Sequence, residues 1–231
     1  MKVGILGGGQ LGMMLIEAGR PLGLEFLVFS EEADVPAAKV APVFQGKFSS
    51  SRDLENFSKG LDAITYEWEN LPTVAVEFLK KHSPKTFPDP DTLRLAQDRW
   101  VQKQYLKQLQ IPTAQCWAVD SYCDLQACAL PGILKTRRWG YDGKGQWRLK
   151  SPSDLLALKD LIEAGGFIYE EWVKFSRELS IIGSRDASGK MIFYPLVENE
   201  HSEGILRTTW APAQNVTTSL QQLAEKYLSQ L

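Results

Sequence analysis

The sequence predicts an α/β fold, in which a parallel sheet covered by helices precedes a second region of mixed α and β structure. Two observations carry this prediction. Short apolar runs bounded by glycine or polar turns alternate with amphipathic stretches, and a glycine-rich turn follows the first run. With 231 residues the chain can form two hydrophobic cores. We therefore expect two domains, residues 1–90 and residues 91–231, that meet at the proline-rich stretch near Pro90.

The elements of the first domain follow from these patterns. The second helix opens with proline, whose fixed backbone angle suits a first turn. Strands are predicted at residues 2–6, 25–30, 42–45 and 63–67, and helices at residues 10–22 and 72–81.

The second domain is predicted to begin with a helical stretch over residues 92–110, which carries one apolar face. Further strands are predicted at residues 115–119, 132–135, 146–149, 167–171, 178–185, 191–197 and 206–211. Further helices are predicted at residues 121–128, 153–164 and 216–229.

The composition excludes several functional classes. Hydrophobic residues make up 44% and charged residues 23%, as in ordinary globular proteins, and the formal charge of -2 provides no global basic field. The chain runs from Met1 directly into the strand-like KVGIL, without a secretory signal, and no apolar run has the length of a membrane span. We expect a cytoplasmic protein that binds neither nucleic acid nor a membrane.

The glycine-rich turn GGGQLG, residues 7–12, fits the pattern G-x-G-x-x-G between a strand and a helix. Backbone N–H groups at such a turn face an anion, and phosphate is the expected guest. A dinucleotide is an alternative, with Glu31 or Glu32 as the ribose-binding carboxylate. Close helix packing without any ligand is a third interpretation.

The segment ILKTRRWGYDGKGQWRL, residues 133–149, combines a strand ending in Lys135 with a basic, glycine-rich loop and a second strand. Gly140, Gly143 and Gly145 would let the backbone approach phosphate oxygens, and Lys135 would place a point charge on them. A solvated hairpin is the alternative, but the order of these features favours a phosphate-covering loop.

The segment FIYEEWVKFSRELSIIGSRD, residues 167–186, predicts a hinge that could hold adenine. Backbone groups around Glu171 and Val173 could pair with the base edge, and Glu178 could accept hydrogen bonds from ribose hydroxyls. Taken alone, adjacent carboxylates at a strand end are usually solvated, and a tryptophan such as Trp172 is more often a core residue than a stacking surface. The position of this segment after the glycine loop is what favours the hinge.

In this order the segments resemble the ATP-grasp superfamily. GGGQLGMM, TYEWENLP, QDRWVQKQYL, GYDGKGQW, RELSIIGSRD and FYPLVENEHSEGILRTTWAPA resemble its N5-carboxyaminoimidazole ribonucleotide synthases, over residues 4–213. The resemblance implies a Rossmann-like pre-ATP-grasp domain followed by an α+β ATP-grasp domain. It also implies a mobile nucleotide-covering lobe at about residues 112–175.

The resemblance implies a carboxylating ligase of purine biosynthesis, which is commonly a homodimer. ATP would phosphorylate bicarbonate to carboxyphosphate, which would deliver carbon dioxide to the exocyclic amine of 5-aminoimidazole ribonucleotide. Two alternatives stay open. One is another ATP-grasp ligase, such as formate-dependent glycinamide ribonucleotide transformylase or biotin carboxylase, and the other is a nucleotide-binding fragment without turnover.

Site residues carried over from the resemblance fall into three groups. Those expected to contact ATP are Arg99, Lys135, Gly140, Tyr141, Asp142, Gly143, Lys144, Gly145, Glu170, Glu171, Trp172, Val173, Glu178 and His201. Those expected to contact 5-aminoimidazole ribonucleotide are Gly9, Gln10, Leu11, Glu67, Glu69, Tyr141 and Lys144. Catalytic roles are expected for Lys135, Lys144 and His201. Lys144 replaces the family's usual arginine, so its contact with a phosphate or carboxylate should be weaker.

Members of the superfamily hold Mg²⁺ with glutamates on late strands. After Ala213 the sequence predicts one helix, in which Glu225 is the sole acidic residue. We therefore assign no metal ligand in this sequence. We expect an ATP-grasp domain truncated at its C-terminus, with the Mg²⁺ ligands in the missing segment.

Overall fold

The computed structural model describes residues 1–83, 85–140, 144–202 and 204–231. The chain forms two compact units, Met1–Gln97 and Asp98–Leu231. The division lies beyond residue 90 because helix α4 (Pro90–Gln97) is attached to the first unit. Its Arg94 forms an ion pair with Glu77, and the Gln97 side chain donates to the Leu71 carbonyl at 2.6 Å.

The first unit contains a four-stranded parallel sheet of order β3-β2-β1-β4. Its strands confirm the predicted ones to within a residue: β1 (Lys2–Leu6), β2 (Glu25–Ser30), β3 (Val43–Gln45) and β4 (Ala63–Tyr66). Because the strands are parallel, their carboxyl ends meet at one edge of the sheet.

Helices cover both faces of this sheet. They are α1 (Gln10–Gly19), α2 (Ser51–Ser58), α3 (Thr73–His82) and α4. Side chains alternate between the two faces along β1, so Ile5 packs in the core that contains Ile16 of α1, whereas Leu6 packs with the other helices. Helix α2 was not predicted, although Ser50 caps it by accepting from the Asp53 N–H.

The second unit begins with helix α5 (Arg99–Gln108) and an antiparallel sheet of order β5-β8-β6-β7. The strands are β5 (Cys116–Val119), β6 (Gly132–Thr136), β7 (Gln146–Leu149) and β8 (Phe167–Glu171). One face packs into a core with helices α6 (Tyr122–Gln126), α7 (Pro152–Ala157) and α8 (Lys159–Ile162).

Two predicted helices are interrupted. The stretch over residues 92–110 divides into α4 and α5 because Asp98 adopts an extended conformation and caps α5. The stretch over residues 153–164 divides into α7 and α8 at Leu158.

The chain then forms a three-stranded antiparallel sheet of order β13-β12-β9, a separate hairpin of β10 and β11, and a final helix. Their bounds are β9 (Glu178–Ser180), β10 (Gly183–Arg185), β11 (Met191–Phe193), β12 (Val197–Ser202), β13 (Ile205–Trp210) and α9 (Thr218–Gln230).

The single strands predicted over residues 178–185 and 191–197 are therefore wrong. Each stretch divides between the sheet and the hairpin, because β9 pairs with β12 whereas β10 pairs with β11. Pro195, which has no N–H to donate, lies between β11 and β12.

Little of the last quarter of the chain is buried. Within the described part of residues 174–231, the buried hydrophobic residues are Leu196 and Ala213, and no residue of α9 is buried. Among the described residues, none of the helices has the length and apolar character needed to cross a bilayer.

Candidate functional site

The first unit has a cavity of about 620 Å³ at the carboxyl edge of its parallel sheet. Residues that directly follow β1, β2 and β4 line it, as expected where parallel strands end together. The lining residues are Gly7, Gly8, Gly9, Gln10, Leu11, Ser30, Glu31, Glu32, Phe48, Glu67, Trp68, Asn70 and Pro72.

The glycine-rich turn places the N-terminus of α1 at this cavity. Gly7 has a φ of 98°, which favours glycine, and Gly9 is the N-cap residue without a side-chain cap. The N-cap residue of α1 therefore supplies no capping side chain, and the positive end of the helix dipole lies here. The predicted residues Gly9, Gln10 and Leu11 form the N-terminus of α1, which is suited to binding an anion.

Glu67 extends from the end of β4 toward the same turn. Burial raises the pKa of its carboxyl group, hydrogen bonding from the Gly12 N–H opposes this, and the neighbouring charge of Glu69 raises the pKa further. Glu69 itself is exposed and does not line the cavity. The structure thus places Glu67, but not Glu69, beside the helix N-terminus.

The dinucleotide interpretation named Glu31 or Glu32 after β2 as the ribose-binding carboxylate, and both line the cavity. The Glu31 carboxylate accepts a hydrogen bond from the Phe48 N–H at 2.9 Å, so it stabilises a neighbouring loop. Sequence reasoning missed Ser30 and Asn70 as cavity residues. The signal available in the sequence was their position at or shortly after the end of a predicted strand, where parallel strands form a binding edge.

The second unit presents a polar sheet face opposite its hydrophobic core. Strand register places Cys116, Glu170, Ile133 and Arg148 side by side across the four strands. Lys135 lies two residues beyond Ile133 on β6 and therefore shares this face. The intervening residues, such as Leu134, face the core. We call this surface the polar face.

An ion-pair cluster lies on the polar face. The Lys135 Nζ is 3.1 Å from the Glu170 Oε2, and the Lys103 Nζ of α5 is 3.4 Å from the same oxygen. The Glu170 side chain is only 10% exposed, so its charge requires these partners. The structure brings together the predicted Lys135 and Glu170, whereas Lys103 was not predicted as a site residue.

The base of the glycine loop is fixed by Arg99. Its guanidinium donates to the carbonyls of Thr136 and Gly140, at 2.8 and 2.7 Å. At the other end, the Gly145 carbonyl accepts from the Thr136 N–H at 2.8 Å. Arg99 was predicted to contact ATP, and the structure shows it holding the loop backbone.

Asp98 reinforces this arrangement. Its carboxylate caps α5 and accepts hydrogen bonds from Arg137 at 3.0 and 2.8 Å. Burial opposes its ionisation, but the hydrogen bonds from Arg137 and the Val101 N–H, with the Arg137 charge and Arg138, hold the pKa of Asp98 below its usual value.

The predicted adenine hinge follows β8. The Glu171 N–H donates to the Gln115 carbonyl, and the Trp172 N–H donates to the Pro131 carbonyl. The backbone of Val173 has no hydrogen-bond partner among the described residues, and Val173 is 48% exposed. Val173 thus presents a donor and an acceptor to a possible ligand.

Trp172 is neither fully buried nor isolated. It is 37% exposed, and the Arg148 guanidinium lies 5.5 Å from its ring centroid. This cation–π geometry orients the indole at the rim of the polar face.

Glu178 and His201, predicted separately, form one pair. The His201 Nδ1 is 3.0 Å from the Glu178 Oε2, at the bulge between Glu200 and His201 in β12. Across the described ranges, no hydrogen bond or ion pair links this pair to Lys135 or Glu170. Lys144 is exposed. The predictions for Tyr141, Asp142 and Gly143 lie outside the described residues.

Sequence comparison places these features in one class of protein. Residues 104–231 match the ATP-grasp domain, and residues 1–97 match the ribonucleotide synthetase preATP-grasp domain. The chain belongs to the ATP-grasp family, which confirms the fold implied by the resemblance.

Within that family, the similar proteins include several N5-carboxyaminoimidazole ribonucleotide synthases. The Pseudomonas aeruginosa synthase is 38% identical over 100% of this chain, which covers 64% of that protein. The crystal structure of the Thermus thermophilus synthetase has a TM-score of 0.90 and 38% identity, over 99% of this chain and 62% of its own.

A third relative carries ligands. The Aspergillus clavatus synthase, solved with ADP and 5-aminoimidazole ribonucleotide, has a TM-score of 0.83 and 26% identity, over 99% of this chain and 61% of its own. This chain therefore spans less than two thirds of the length of each of these relatives.

Proposed function

We propose that the chain provides the nucleotide-binding and ribonucleotide-binding parts of an N5-carboxyaminoimidazole ribonucleotide synthase. The observation that carries the proposal is the Lys135–Glu170 pair on the polar face, directly before the glycine loop. A carboxylating ligase must place cations against the polyphosphate of ATP. Lys135, near the end of β6, would place its ammonium there. The named relatives support the same activity.

The polar face fits ATP. The Lys135 ammonium would bind phosphate oxygens, the exposed Val173 backbone would pair with the adenine edge, and the Glu178 carboxylate would accept from ribose hydroxyls. Arg99 holds the loop base, so its direct contact with ATP is a further proposal. His201 would orient Glu178 through their hydrogen bond. It would reach the phosphates only after that bond breaks. Gly140, Gly145, Glu171 and Trp172 would line the remaining nucleotide surface.

The cavity of the first unit fits a ribonucleotide phosphate. The N–H groups at Gly9, Gln10 and Leu11 would bind the phosphate, and Glu67 would accept from ribose hydroxyls. The charge of Glu69 would raise the pKa of Glu67, or the Glu69 side chain would contact the ribonucleotide directly at the rim of the cavity. The contacts of Tyr141 and Lys144 with 5-aminoimidazole ribonucleotide stay predictions from the resemblance.

The proposed chemistry has two steps. A bicarbonate oxygen attacks the γ-phosphorus of ATP and the bond to ADP breaks, which gives carboxyphosphate. Carboxyphosphate then breaks down to phosphate and carbon dioxide. The exocyclic nitrogen of 5-aminoimidazole ribonucleotide forms a bond to the carbon of carbon dioxide and loses a proton. Lys135 stabilises the transferring phosphoryl group, and Lys144 and His201 are the further residues proposed to assist.

The described residues contain no preformed cluster of side-chain ligands for Mg²⁺. In the ranges that the structure describes, no three His, Cys, Asp or Glu side chains are grouped as ligands. Glu198 is already bound by Arg177 through two hydrogen bonds, at 3.0 and 2.6 Å. We therefore assign the metal no step.

A second candidate function is nucleotide binding without turnover. It is favoured by the sparse burial within the described part of residues 174–231. For either candidate we propose a cytoplasmic setting, and homodimer formation stays a prediction.

The test combines binding with turnover. ADP binding is titrated calorimetrically, and phosphate release from ATP and bicarbonate is measured with and without 5-aminoimidazole ribonucleotide. Lys135→Met should weaken ADP binding by about tenfold or more, as loss of a charged hydrogen bond predicts. The exposed Lys150 provides the matched control, Lys150→Met. Binding with ribonucleotide-dependent phosphate release supports the synthase, binding without release supports the second candidate, and no ADP binding contradicts both.

A further inference from the structure

Lys103 contributes a second ammonium to the nucleotide site proposed above. It lies on α5 one turn beyond Arg99, and its Nζ contacts both the Glu170 Oε2 at 3.4 Å and the Thr113 hydroxyl at 2.5 Å. Its side chain is only 15% exposed. A lysine held in this way has lost most of its side-chain freedom, which indicates a positional role rather than a solvated surface charge.

Glu170 connects the two lysines. Sheet register places Ile133 opposite Glu170 and Ile168 opposite Lys135, so Lys135 is a diagonal neighbour of Glu170. The two side chains therefore reach each other along the diagonal, where the Lys135 Nζ lies 3.1 Å from the Glu170 Oε2. Lys103 approaches the same oxygen from α5 and fixes the orientation of the carboxylate.

The charges of the cluster suit an anionic ligand. Two ammonium groups share one carboxylate, so the cluster of Lys103, Lys135 and Glu170 carries a net positive charge. Without Lys103, the carboxylate would be balanced by Lys135 alone. Glu170 would then be less firmly fixed, and so would the Lys135 ammonium that it holds at the polyphosphate position.

We propose that Lys103 is a positioning residue of the nucleotide site, which fixes Glu170 and through it holds the Lys135 ammonium where a polyphosphate binds. This inference rests on the proposed function. It differs from a simple charge effect, in which Lys103 attracts the nucleotide without acting through Glu170.

A double-mutant cycle separates these two roles. ADP affinity is measured for the wild type, Lys103→Met, Glu170→Gln and the double variant, with Lys103→Arg as the conservative replacement. Lys103→Met should weaken binding about tenfold, and Lys103→Arg should restore part of this loss. With Glu170 already replaced, removing Lys103 should change affinity less than about threefold, because interacting residues are not additive.

Lys107→Met is the matched control, since Lys107 lies one turn further along α5 and has no ion pair within the described ranges. It should leave ADP affinity within about twofold, as expected for an exposed charge. Equal effects of Lys103→Met and Lys107→Met would overturn the proposal. An equal loss from Lys103→Met in both Glu170 backgrounds would also overturn it, in favour of the charge effect.

Cys116 provides a readout that needs no nucleotide. It lies opposite Glu170 in the sheet. Burial raises the pKa of its thiol, the Lys103 charge lowers it, the Glu170 charge raises it, and the Lys107 charge lowers it. Lys103→Met should therefore slow iodoacetamide alkylation of Cys116 near pH 8, and Glu170→Gln should accelerate it. Mass spectrometry of the Cys116 peptide resolves this from Cys123 and Cys128.

The two readouts distinguish failure of the inference from failure of the proposed function. Wild-type protein that binds ADP, with unchanged Cys116 alkylation in Lys103→Met, would show that Lys103 is not held at Glu170. The inference alone would then be wrong. Wild-type protein that does not bind ADP would remove the proposed function and the positioning role together, whatever the alkylation rates.

Discussion

Asp98 and Arg137 form a two-hydrogen-bond ion pair that joins the start of α5 to the end of β6, at 3.0 and 2.8 Å. The same carboxylate caps α5 through the Trp100 and Val101 N–H groups. The Asp98 side chain is only 4% exposed, and that of Arg137 is 25% exposed. One buried charge therefore links helix capping to the base of the glycine loop.

Replacing Asp98 by Asn should destabilise the second unit by about 2–4 kcal/mol at pH 7, because Arg137 would lose its charged partner. The pKa of Asp98 is lowered in the folded protein. Its contribution is therefore complete above the unfolded pKa, which is about 3.9, and is lost as the pH falls through the lower folded value. Urea unfolding at several pH values measures both effects.

Asp154→Asn is the control for this prediction, since the half-buried Asp154 completes the capping box of α7 but has no ion pair within the described residues. It should cost far less than Asp98→Asn. The difference in free energy of unfolding between wild type and Asp98→Asn should become smaller in acid. A difference that stays constant would contradict the assigned role of the ionised carboxylate.

The sequence predicted local features better than long-range pairs. Strand β1 is bounded by glycine and has a continuous apolar run, so its position and the turn after it were correctly predicted. The Asp98–Arg137 pair joins residues 39 positions apart, and no local pattern indicates such a contact. For the same reason no local pattern indicated that Lys103 and Lys135 bind the Glu170 carboxylate, and the contact of Glu170 with ATP stays a prediction.

The strand prediction over residues 178–185 failed for a related physical reason. Its composition is compatible with one extended segment, but the partners of β9 and β10 come from different later strands. Pairing in a sheet depends on those partners as much as on intrinsic strand propensity. The pairing of Glu178 with His201 is another contact that only the folded sheet reveals.

Two neighbouring glycines should separate folding from ligand binding in the first unit. A Cβ added at Gly8 would lie 2.4 Å from the Val35 Cγ2, whereas one added at Gly9 would meet only the Glu67 Oε1, at 3.9 Å. Gly8→Ala should therefore destabilise the unit by about 1–3 kcal/mol. Gly9→Ala should cost less than about 1 kcal/mol, because Ala is merely a poorer N-cap.

The affinity for 5-aminoimidazole ribonucleotide should be reduced more by Gly9→Ala than by Gly8→Ala, which is the opposite of their order for stability. The methyl group of Gly9→Ala would project toward the cavity, where the ribonucleotide phosphate is proposed to bind. We expect loss of 5-aminoimidazole ribonucleotide affinity by about tenfold or more in calorimetry, since a displaced phosphate loses charge-assisted hydrogen bonds. Wild-type affinity in a stably folded Gly9→Ala protein would exclude a phosphate at this turn.

Glu67 should give the cavity a characteristic pH dependence. Burial, opposed by the Gly12 N–H and aided by Glu69, raises the pKa of Glu67 in the folded protein. The folded state then binds the proton more tightly, so stability falls as the pH rises from the unfolded to the folded pKa. Glu67→Gln should remove this penalty and slightly raise the melting temperature at pH 7, but not at pH 4.

Ribonucleotide binding should respond to Glu67→Gln in the opposite direction. An ionised Glu67 is the proposed acceptor for ribose hydroxyls, so wild-type affinity should increase with pH through the raised pKa, whereas the variant should bind weakly with little pH dependence. Glu55→Gln, an exposed change on α2, is the control. The proposed role would be refuted by a Glu67→Gln protein with the pH profile of the wild type.

The Glu178–His201 pair makes a prediction about ribose recognition. If the Glu178 carboxylate accepts from ribose hydroxyls, the wild type should bind ADP about tenfold more tightly than 2′-deoxy-ADP or 3′-deoxy-ADP, as expected for a hydrogen bond to a charged acceptor. Glu178→Gln should bind all three nucleotides weakly and with similar affinity. His201→Gln should retain discrimination, because the carboxylate that makes the contact remains. Glu163→Gln at the end of α8 is the control. Equal discrimination by wild type and Glu178→Gln would assign the ribose contact to another residue, and the 3.0 Å bond between Glu178 and His201 would then serve only to join β9 to β12.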